Sequence, residues 1–244
     1  MINFSGLSNN WVGNKLRNLF AKVPGHTYFP VCQGEAAGMW WHVKGSNHSC
    51  WLGNYEMDKQ KMFAKYCKID MVVYDIGAHA GFYSLIAARK VGNNGKVLAV
   101  EPYSKNVEII RRNIQRNRKN NIQVICAAVS DKNEMVRFDV ANRDSYTGRV
   151  SENGSIEIAA ITLDDMAEKY GQPHLIKIDV EGGETKVLLG ASKTLMRSKP
   201  VIFLAVHSVE QSHNCASILQ DAGYKVQALA GMKDEWLALD RELI

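Results

Sequence analysis

Four residues with chemically active side chains each come directly after a short apolar run. The runs are residues 72–74, 96–100, 174–178 and 201–206, and the residues that follow them are Asp75, Glu101, Asp179 and His207. We interpret the runs as buried strands of one parallel sheet, whose carboxyl ends form the usual ligand-binding edge. Three carboxylates and an imidazole at one edge could bind hydroxyl or cationic groups and transfer a proton. The sequence therefore predicts a single site there.

The turn after the first of these strands indicates what the site binds. It has the pattern D-x-G-x-x-x-G, from Asp75 through Gly77 to Gly81. The G-x-G-x-x-G pattern of a dinucleotide site is absent, and a carboxylate at the strand end would repel a pyrophosphate but could serve an ammonium group. Glu101 comes twenty residues after Gly81, where an acidic residue accepts hydrogen bonds from ribose hydroxyls.

A nucleoside with a cationic, amino-acid-like end meets both requirements. S-adenosylmethionine (SAM) has these two parts, whereas NAD fits poorly because of its pyrophosphate. The cofactor-binding residues predicted in this part of the chain are Asp75, Gly77, Ala78, Gly81, Glu101 and Pro102.

The elements that must position these residues alternate between strands and helices from residue 71 onward. Such alternation is typical of an α/β protein with a mostly parallel, doubly wound sheet. We expect one long helix over 185–196 and a peripheral hairpin formed by residues 135–140 and 156–161. The predicted domain boundary separates a cap or lid over 1–70 from a SAM-binding domain over 71–244.

The segment before residue 71 is less regular. We predict a short helix near Trp11–Ala21, a strand over 39–43 that pairs with one over 49–52, and a helix over 55–67. The residues His42, His48 and Cys50 fit no zinc-binding spacing, so no metal site is predicted.

Composition narrows the class of protein. Hydrophobic residues make up 46% of the 244 residues, and the net charge is +5, which suits an anionic substrate without demanding nucleic acid. The five cysteines are scattered and include no C-x-x-C, as in a reduced protein. No apolar run approaches the roughly 18 residues of a membrane span. We therefore expect a soluble, cytoplasmic protein.

Two longer motifs carry a family resemblance. The stretch D-I-G-A-H-A-G at 75–81, with the Glu101–Pro102 pair, resembles the motifs of class I SAM-dependent methyltransferases. The stretch I-K-I-D-V-E-G-G-E at 176–184 resembles the signature of their FkbM family, over about residues 52–229. One departure is Ala205, where the family more often has a glutamate before Val-His.

The resemblance implies a Rossmann-like class I methyltransferase fold with a mostly parallel seven-stranded sheet and helices on both faces. It also implies methyl transfer from SAM to a hydroxyl of a saccharide or natural-product-like acceptor. Further cofactor contacts are expected at Glu56, in a Tyr-Glu pair before the core, at Asp179, and near Ala128 and Ser130 for the adenine.

Three residues are candidates for catalysis: Asp179, Glu181 and His207. An alcohol is a poor nucleophile at neutral pH, so a general base helps, and His207 has the best unperturbed pKa for this role. Asp179 and Glu181 could contact the acceptor or the methionine end of SAM. For Glu184 the simpler interpretation is a carboxylate favoured at a helix start.

Two alternatives stay open at this point. The basic residues of the helix over 104–118, with a pI near 8.9, could indicate an RNA methyltransferase, although we interpret them as a solvated helix face. The chain could also bind SAM without catalysis. We expect a small-molecule or glycan acceptor, with no nucleic acid and no membrane span.

Overall fold

The computed structural model describes residues 27–43, 45–46, 48–140, 148–229 and 231–243. The helix predicted near Trp11–Ala21 lies outside these residues. Within them, the strands are β1 (Tyr28–Pro30), β2 (Trp40–His42), β3 (Val72–Ile76), β4 (Lys96–Val100), β5 (Ile122–Ile125), β6 (Ala128–Val129), β7 (Glu134–Val140), β8 (Gly148–Val150), β9 (Ile156–Ile161), β10 (Leu175–Ile178), β11 (Val201–Ala205), β12 (Tyr224–Leu229) and β13 (Met232–Asp240). The helices are α1 (His48–Leu52), α2 (Met57–Tyr66), α3 (Phe82–Val91), α4 (Ser104–Arg116), α5 (Leu163–Tyr170), α6 (Glu184–Leu189), α7 (Ser192–Arg197) and α8 (Val209–Asp221), followed by a 3-10 turn at Arg241–Leu243.

A seven-stranded sheet forms the centre of the molecule, with strand order β12-β13-β11-β10-β3-β4-β5. The neighbours from β11 to β5 pair in parallel, and β13 runs antiparallel to both β11 and β12. The predicted fold class is confirmed. The last strand, β13, begins at Met232 and is nine residues long.

Side chains of the central strands alternate between two buried clusters, one on each face of the sheet. On β3, Val73 belongs to the cluster that includes residues of α2 and α3. Tyr74 and Ile76 belong to the cluster on the other face, which includes residues of α5, α6, α7 and α8. All four residues of β10 are buried. Burial on both faces explains why these strands read as continuous apolar runs.

A second, four-stranded sheet has the order β6-β9-β7-β8. The antiparallel pairing of β7 with β9 confirms the predicted hairpin. The chain leaves the large sheet at Ile125, where β5 ends, and Ala128 and Val129 of β6 pair in parallel with β9. This change of sheet brings Ala128 beside the carboxyl end of β4.

The predicted partner strand over 49–52 is wrong. Residues His48–Leu52 form α1, and β2 pairs with β1 instead. Cys50, Trp51 and Leu52 are all buried. All three pack in the same buried cluster as Trp41 of β2.

The single helix predicted over 185–196 is also wrong, because α6 and α7 are separated at Gly190 and Ala191. A Cβ at Gly190 would lie only 2.1 Å from the carbonyl oxygen of Ser130. The Gly190 carbonyl in turn accepts a hydrogen bond of 2.9 Å from the Asp164 backbone. The carbonyl of Ser130, the residue that follows β6, thus lies against the chain between α6 and α7.

The N-terminal segment is joined to the sheet domain through α4. Asn113 accepts a hydrogen bond of 3.1 Å from the His42 backbone, and Asn117 accepts one of 2.8 Å from Trp40. The arginines of α4 face solvent while Val107 and Ile110 are buried, as the sequence pattern predicts.

Among the helices of the described ranges, none has both the length and the apolar character needed to span a membrane.

Candidate active site

A pocket opens at the carboxyl ends of β3, β4 and β10, where the sequence placed the site. The predicted residues on its wall are Asp75, Gly77, Ala78, Glu101, Pro102, Ala128, Asp179 and Glu181. Four predicted residues lie off this wall: Glu56, Gly81, Ser130 and His207. Gly81 precedes α3, and the Ser130 hydroxyl donates to Asp131 over 3.0 Å.

Asp75 is fully buried at the end of β3. Its Oδ2 accepts a hydrogen bond of 2.6 Å from the Ser84 hydroxyl, which α3 places directly behind it. Its Oδ1 has no hydrogen-bond partner and lies 3.6 Å from the ammonium of Lys177. A buried carboxylate oxygen without a hydrogen bond is costly, so Asp75 has capacity for a donor from a ligand.

Gly77 is required by the chain rather than by a ligand. It has a φ of +74°, and a Cβ there would lie 1.8 Å from the carbonyl oxygen of Asp179. The absence of a side chain therefore lets the turn after β3 approach the end of β10. The cofactor contact expected at Gly77 stays a prediction, and the neighbour that excludes a side chain here is the backbone of Asp179, the residue that follows β10.

Glu101 is buried and held in place by three donors. Its Oε1 accepts hydrogen bonds from the Tyr103 backbone over 3.0 Å and the Asn106 side chain over 3.1 Å, and its Oε2 accepts one from the His79 backbone over 2.9 Å. Burial raises the pKa of Glu101 to about 7, although these donors favour the carboxylate. The fixed carboxylate faces the pocket and can accept hydrogen bonds from vicinal hydroxyls.

Lys177 is a buried cation between two carboxylates. Its ammonium lies 3.6 Å from Asp75 Oδ1 and 3.3 Å from Asp179 Oδ2. Burial lowers the pKa of Lys177, but the carboxylates around it, chiefly Asp179 and Asp75, together raise it by more, so the side chain stays charged. Burial raises the pKa of Asp179, but the cations around it, chiefly Lys177, together have a larger opposite effect and bring the pKa to about 2. Two carboxylates thus share one ammonium, which leaves a net negative charge at this end of the pocket.

His207 stands beside the pocket with carboxylates on both sides of its ring. Nδ1 lies 2.8 Å from Oε1 of Glu184. Nε2 lies 3.4 Å from Oε2 of Glu181 and 3.6 Å from Oδ1 of Asp179. The hydrogen bond to Glu184 raises the pKa of His207 to about 8, against the effect of burial. The ring is therefore fixed through Nδ1, and Nε2 is directed at the two carboxylates at the pocket edge.

Two residues of this arrangement were missed from the sequence. Glu184 is the first residue of α6 and is fully buried, so its carboxylate serves the ring of His207 as well as the helix start. No local pattern could reveal a partner 23 residues away. Lys177 did carry a signal, because a lysine inside a strand that is buried on both faces needs a counter-ion.

Asp179, Glu181 and His207 are close enough together to bind a metal ion, since their ligand atoms lie within 4.8 Å of one another. A protonated His207 supplies positive charge to these two carboxylates. The expectation that the protein binds no metal stays a prediction.

Comparison with known proteins decides the family. The profile described as "Methyltransferase FkbM domain" matches residues 75–226. The chain belongs to the FkbM methyltransferase family. The FkbM match begins at Asp75 and includes Glu101, Asp179 and His207. Glu56 and the strand β13 lie outside it.

One characterised relative is the hexuronic acid methyltransferase AglP of Haloferax volcanii, which is 23% identical over 188 residues, or 76% of this chain and 77% of AglP. A solved FkbM methyltransferase from Methylobacillus flagellatus matches with a TM-score of 0.53 and 21% identity over 70% of this chain. This chain spans only 43% of that protein's length. A SAM-dependent O-methyltransferase from Thermotoga maritima matches with a TM-score of 0.51, 12% identity, and coverage of 92% of this chain and 81% of its own. At these identities the solved structures show the fold alone.

Proposed function

We propose that this FkbM-family protein transfers a methyl group from SAM to a hydroxyl oxygen of a saccharide. The observation that carries the proposal is the placement of Asp75, Glu101 and Asp179 on the wall of one pocket, with His207 at its edge. When bound, SAM supplies an electrophilic methyl group. The side chains of the protein bind SAM and the acceptor and take up the proton of the acceptor hydroxyl.

The pocket fits SAM at two places. Glu101 presents a carboxylate whose orientation is fixed by His79, Tyr103 and Asn106, and such a group suits the two hydroxyls of a ribose. At the other end, Asp75 and Asp179 share the single ammonium of Lys177. The amino group of SAM would balance the remaining negative charge and would give Asp75 Oδ1 the donor it lacks.

His207 is the proposed general base. Its ring is anchored by Glu184, and Nε2 is the nitrogen left to accept a proton from the acceptor hydroxyl. Asp179 is a poor base because its pKa is about 2. We assign Asp179 to orienting the reactants, and the exposed Glu181 to a contact with the acceptor.

A saccharide acceptor is supported by the likeness to AglP, which is named as a hexuronic acid methyltransferase, and by the aromatic side of the pocket. Trp41, Tyr55 and Phe82 all line it, with Phe82 edge-on to both of the other rings at 5.4 and 5.8 Å. Trp41 and Phe82 are buried whereas Tyr55 is partly exposed, so the Tyr55 ring is the most accessible of the three for apolar contact with a sugar ring, while the carboxylates bind its hydroxyls.

The proposal is tested by incubating the protein with methyl-labelled SAM and one of three acceptors: a glucuronic acid glycoside, the matching neutral glucoside, or a short single-stranded RNA. We expect label on a hydroxyl oxygen of a saccharide, located by tandem mass spectrometry, with more than a hundredfold less product from His207→Ala. Label on the RNA alone, or on no acceptor despite SAM binding, would contradict the saccharide assignment.

A further inference from the structure

Lys59 is a lysine of α2 that is almost completely buried, with 1% of its side chain exposed. Its ammonium lies 2.5 Å from Oε1 of Glu235 on β13 and 3.4 Å from Oε2 of Glu56. A buried ammonium needs such partners, because an unpaired charge away from water is strongly unfavourable. Lys59 precedes the segment matched by the FkbM profile and Glu235 follows it, so family membership assigns neither residue a role.

Glu235 reaches this place through the register of the sheet. β13 is antiparallel to β11, and Glu235 lies directly opposite Ala205. Residues directly opposite one another in such a pair project from the same face, and the small side chain of Ala205 leaves space there. Leu237, two residues along, packs in the same cluster as Phe63 of α2. Glu235 therefore faces α2 at the carboxyl end of β11, the edge that bears the pocket.

A chain of contacts connects this ion pair to the pocket wall. Oε2 of Glu56 accepts a hydrogen bond of 2.8 Å from the hydroxyl of Tyr83, which lines the pocket. The ammonium groups of Lys59 and Lys177 lie 5.5 and 5.4 Å from the centre of the Tyr83 ring. Lys177 in turn holds Asp75 and Asp179. The position of Tyr83 in the pocket wall therefore depends on Glu56 and Lys59, which lie behind it.

The conformation of Glu56 depends on the ion pair between Lys59 and Glu235. It has a φ of +46°, a left-handed conformation that is unfavourable for a residue other than glycine. Its carboxylate lies between a cation, Lys59, and a hydroxyl, Tyr83. If Glu235 were neutral, Lys59 would depend on Glu56 for its charge balance and would draw that carboxylate away from Tyr83.

We propose that Lys59 and Glu235 are positioning residues for the methionine end of SAM, because they hold Glu56 and Tyr83 in place at the pocket wall. This inference rests on the proposed function. Residues on both sides of the segment matched by the FkbM profile thus set the affinity for the cofactor, although neither Lys59 nor Glu235 lines the pocket.

The test is calorimetric titration of S-adenosylhomocysteine into the 244-residue chain and its Glu235→Gln variant. We expect the variant to bind at least about tenfold more weakly, a change of about 1.4 kcal/mol. The matched control is Asp240→Asn, which neutralises the partner of Lys199 on the same strand. This control is expected to keep wild-type affinity even if its melting temperature falls.

A second variant separates positioning from general destabilisation. The double variant Lys59→Met/Glu235→Gln removes both charges, so no cation is left to displace Glu56, and it should bind more tightly than Glu235→Gln alone. Wild-type affinity in Glu235→Gln, or equal affinity in the single and double variants, would overturn the inference while leaving the proposed function intact. If the wild-type protein itself fails to bind the ligand, both are overturned.

Discussion

His207 is the residue whose protonation state links the site to pH. Its pKa is raised to about 8, mainly by the hydrogen bond to Glu184. Below that pH the ring is protonated and cannot accept a proton, whereas above it the neutral ring can. We therefore expect kcat/KM for the acceptor to rise with pH through a midpoint near 8.

Replacing Glu184 by Gln should move this midpoint to lower pH, toward the ordinary value for histidine of about 6.5. The amide can still hydrogen-bond to Nδ1 but no longer stabilises the charged ring. Glu210→Gln, at an acidic residue in the first turn of the neighbouring helix α8, is the matched control and should leave the profile unchanged. A midpoint that does not move in Glu184→Gln would show that His207 is not the titrating base.

Glu101 carries the ribose assignment, and its removal has a defined consequence. Glu101→Gln keeps the size of the side chain but loses the charge that strengthens hydrogen bonds to hydroxyls. Since a hydrogen bond to a charged group contributes about 1.5–3 kcal/mol, we expect S-adenosylhomocysteine to bind roughly tenfold or more weakly. Glu108→Gln, on the exposed face of α4, is the control. Equal affinity of Glu101→Gln and wild type, measured by calorimetry, would rule out this contact.

Part of the pocket can be predicted from local sequence patterns. Asp75, Glu101 and Asp179 are expected to lie together because each follows an apolar run and the carboxyl ends of parallel strands meet at one edge of the sheet. The structure places all three on one pocket wall. The partners of His207 and Lys59 were not found, because Glu184 and Glu235 lie 23 and 176 residues away in the chain. Pairings of that kind are fixed by tertiary packing.

The turn after β3 is the element on which the site depends most. Gly77→Ala would place a methyl group 1.8 Å from the Asp179 carbonyl oxygen in a backbone already at a φ of +74°. Gly38→Ala is the matched control, with a φ of +78° and no atom within 4 Å of the added Cβ. We expect a loss of about 1 kcal/mol in the free energy of unfolding for Gly38→Ala and about 3 kcal/mol or more for Gly77→Ala.

Urea denaturation measures both values. Equal losses in the two variants would mean that the turn does not press against β10, and would contradict the geometry given for Gly77.

Element boundaries followed the sequence where their cause is local and departed from it where the cause is distant. The sequence pattern predicts the buried and solvated faces of α4, because their cause is local. The requirement for glycine between α6 and α7 comes from Ser130, sixty residues earlier, whose carbonyl excludes any side chain at Gly190. No local periodicity indicates the helical turn α1, which buries Cys50, Trp51 and Leu52.

At the scale of the molecule, the pocket is assembled from two parts of the chain. The FkbM segment contributes the strand-end carboxylates, and the N-terminal segment contributes Trp41 and Tyr55. The last strand contributes Glu235, which pairs with Lys59 away from the pocket wall. Residues 27–70 and the sheet domain share one buried cluster, which includes Phe63 and Phe203 with ring centroids 5.4 Å apart. We propose that this segment acts as the cap of the pocket, as the sequence predicted.

The central claim is that this pocket binds SAM through its carboxylates. The most direct test is calorimetric titration of S-adenosylhomocysteine into the wild-type, 244-residue chain at pH 8. We expect saturable binding with one ligand per chain. The absence of binding heat at several temperatures, in protein shown by circular dichroism to be folded, would contradict it.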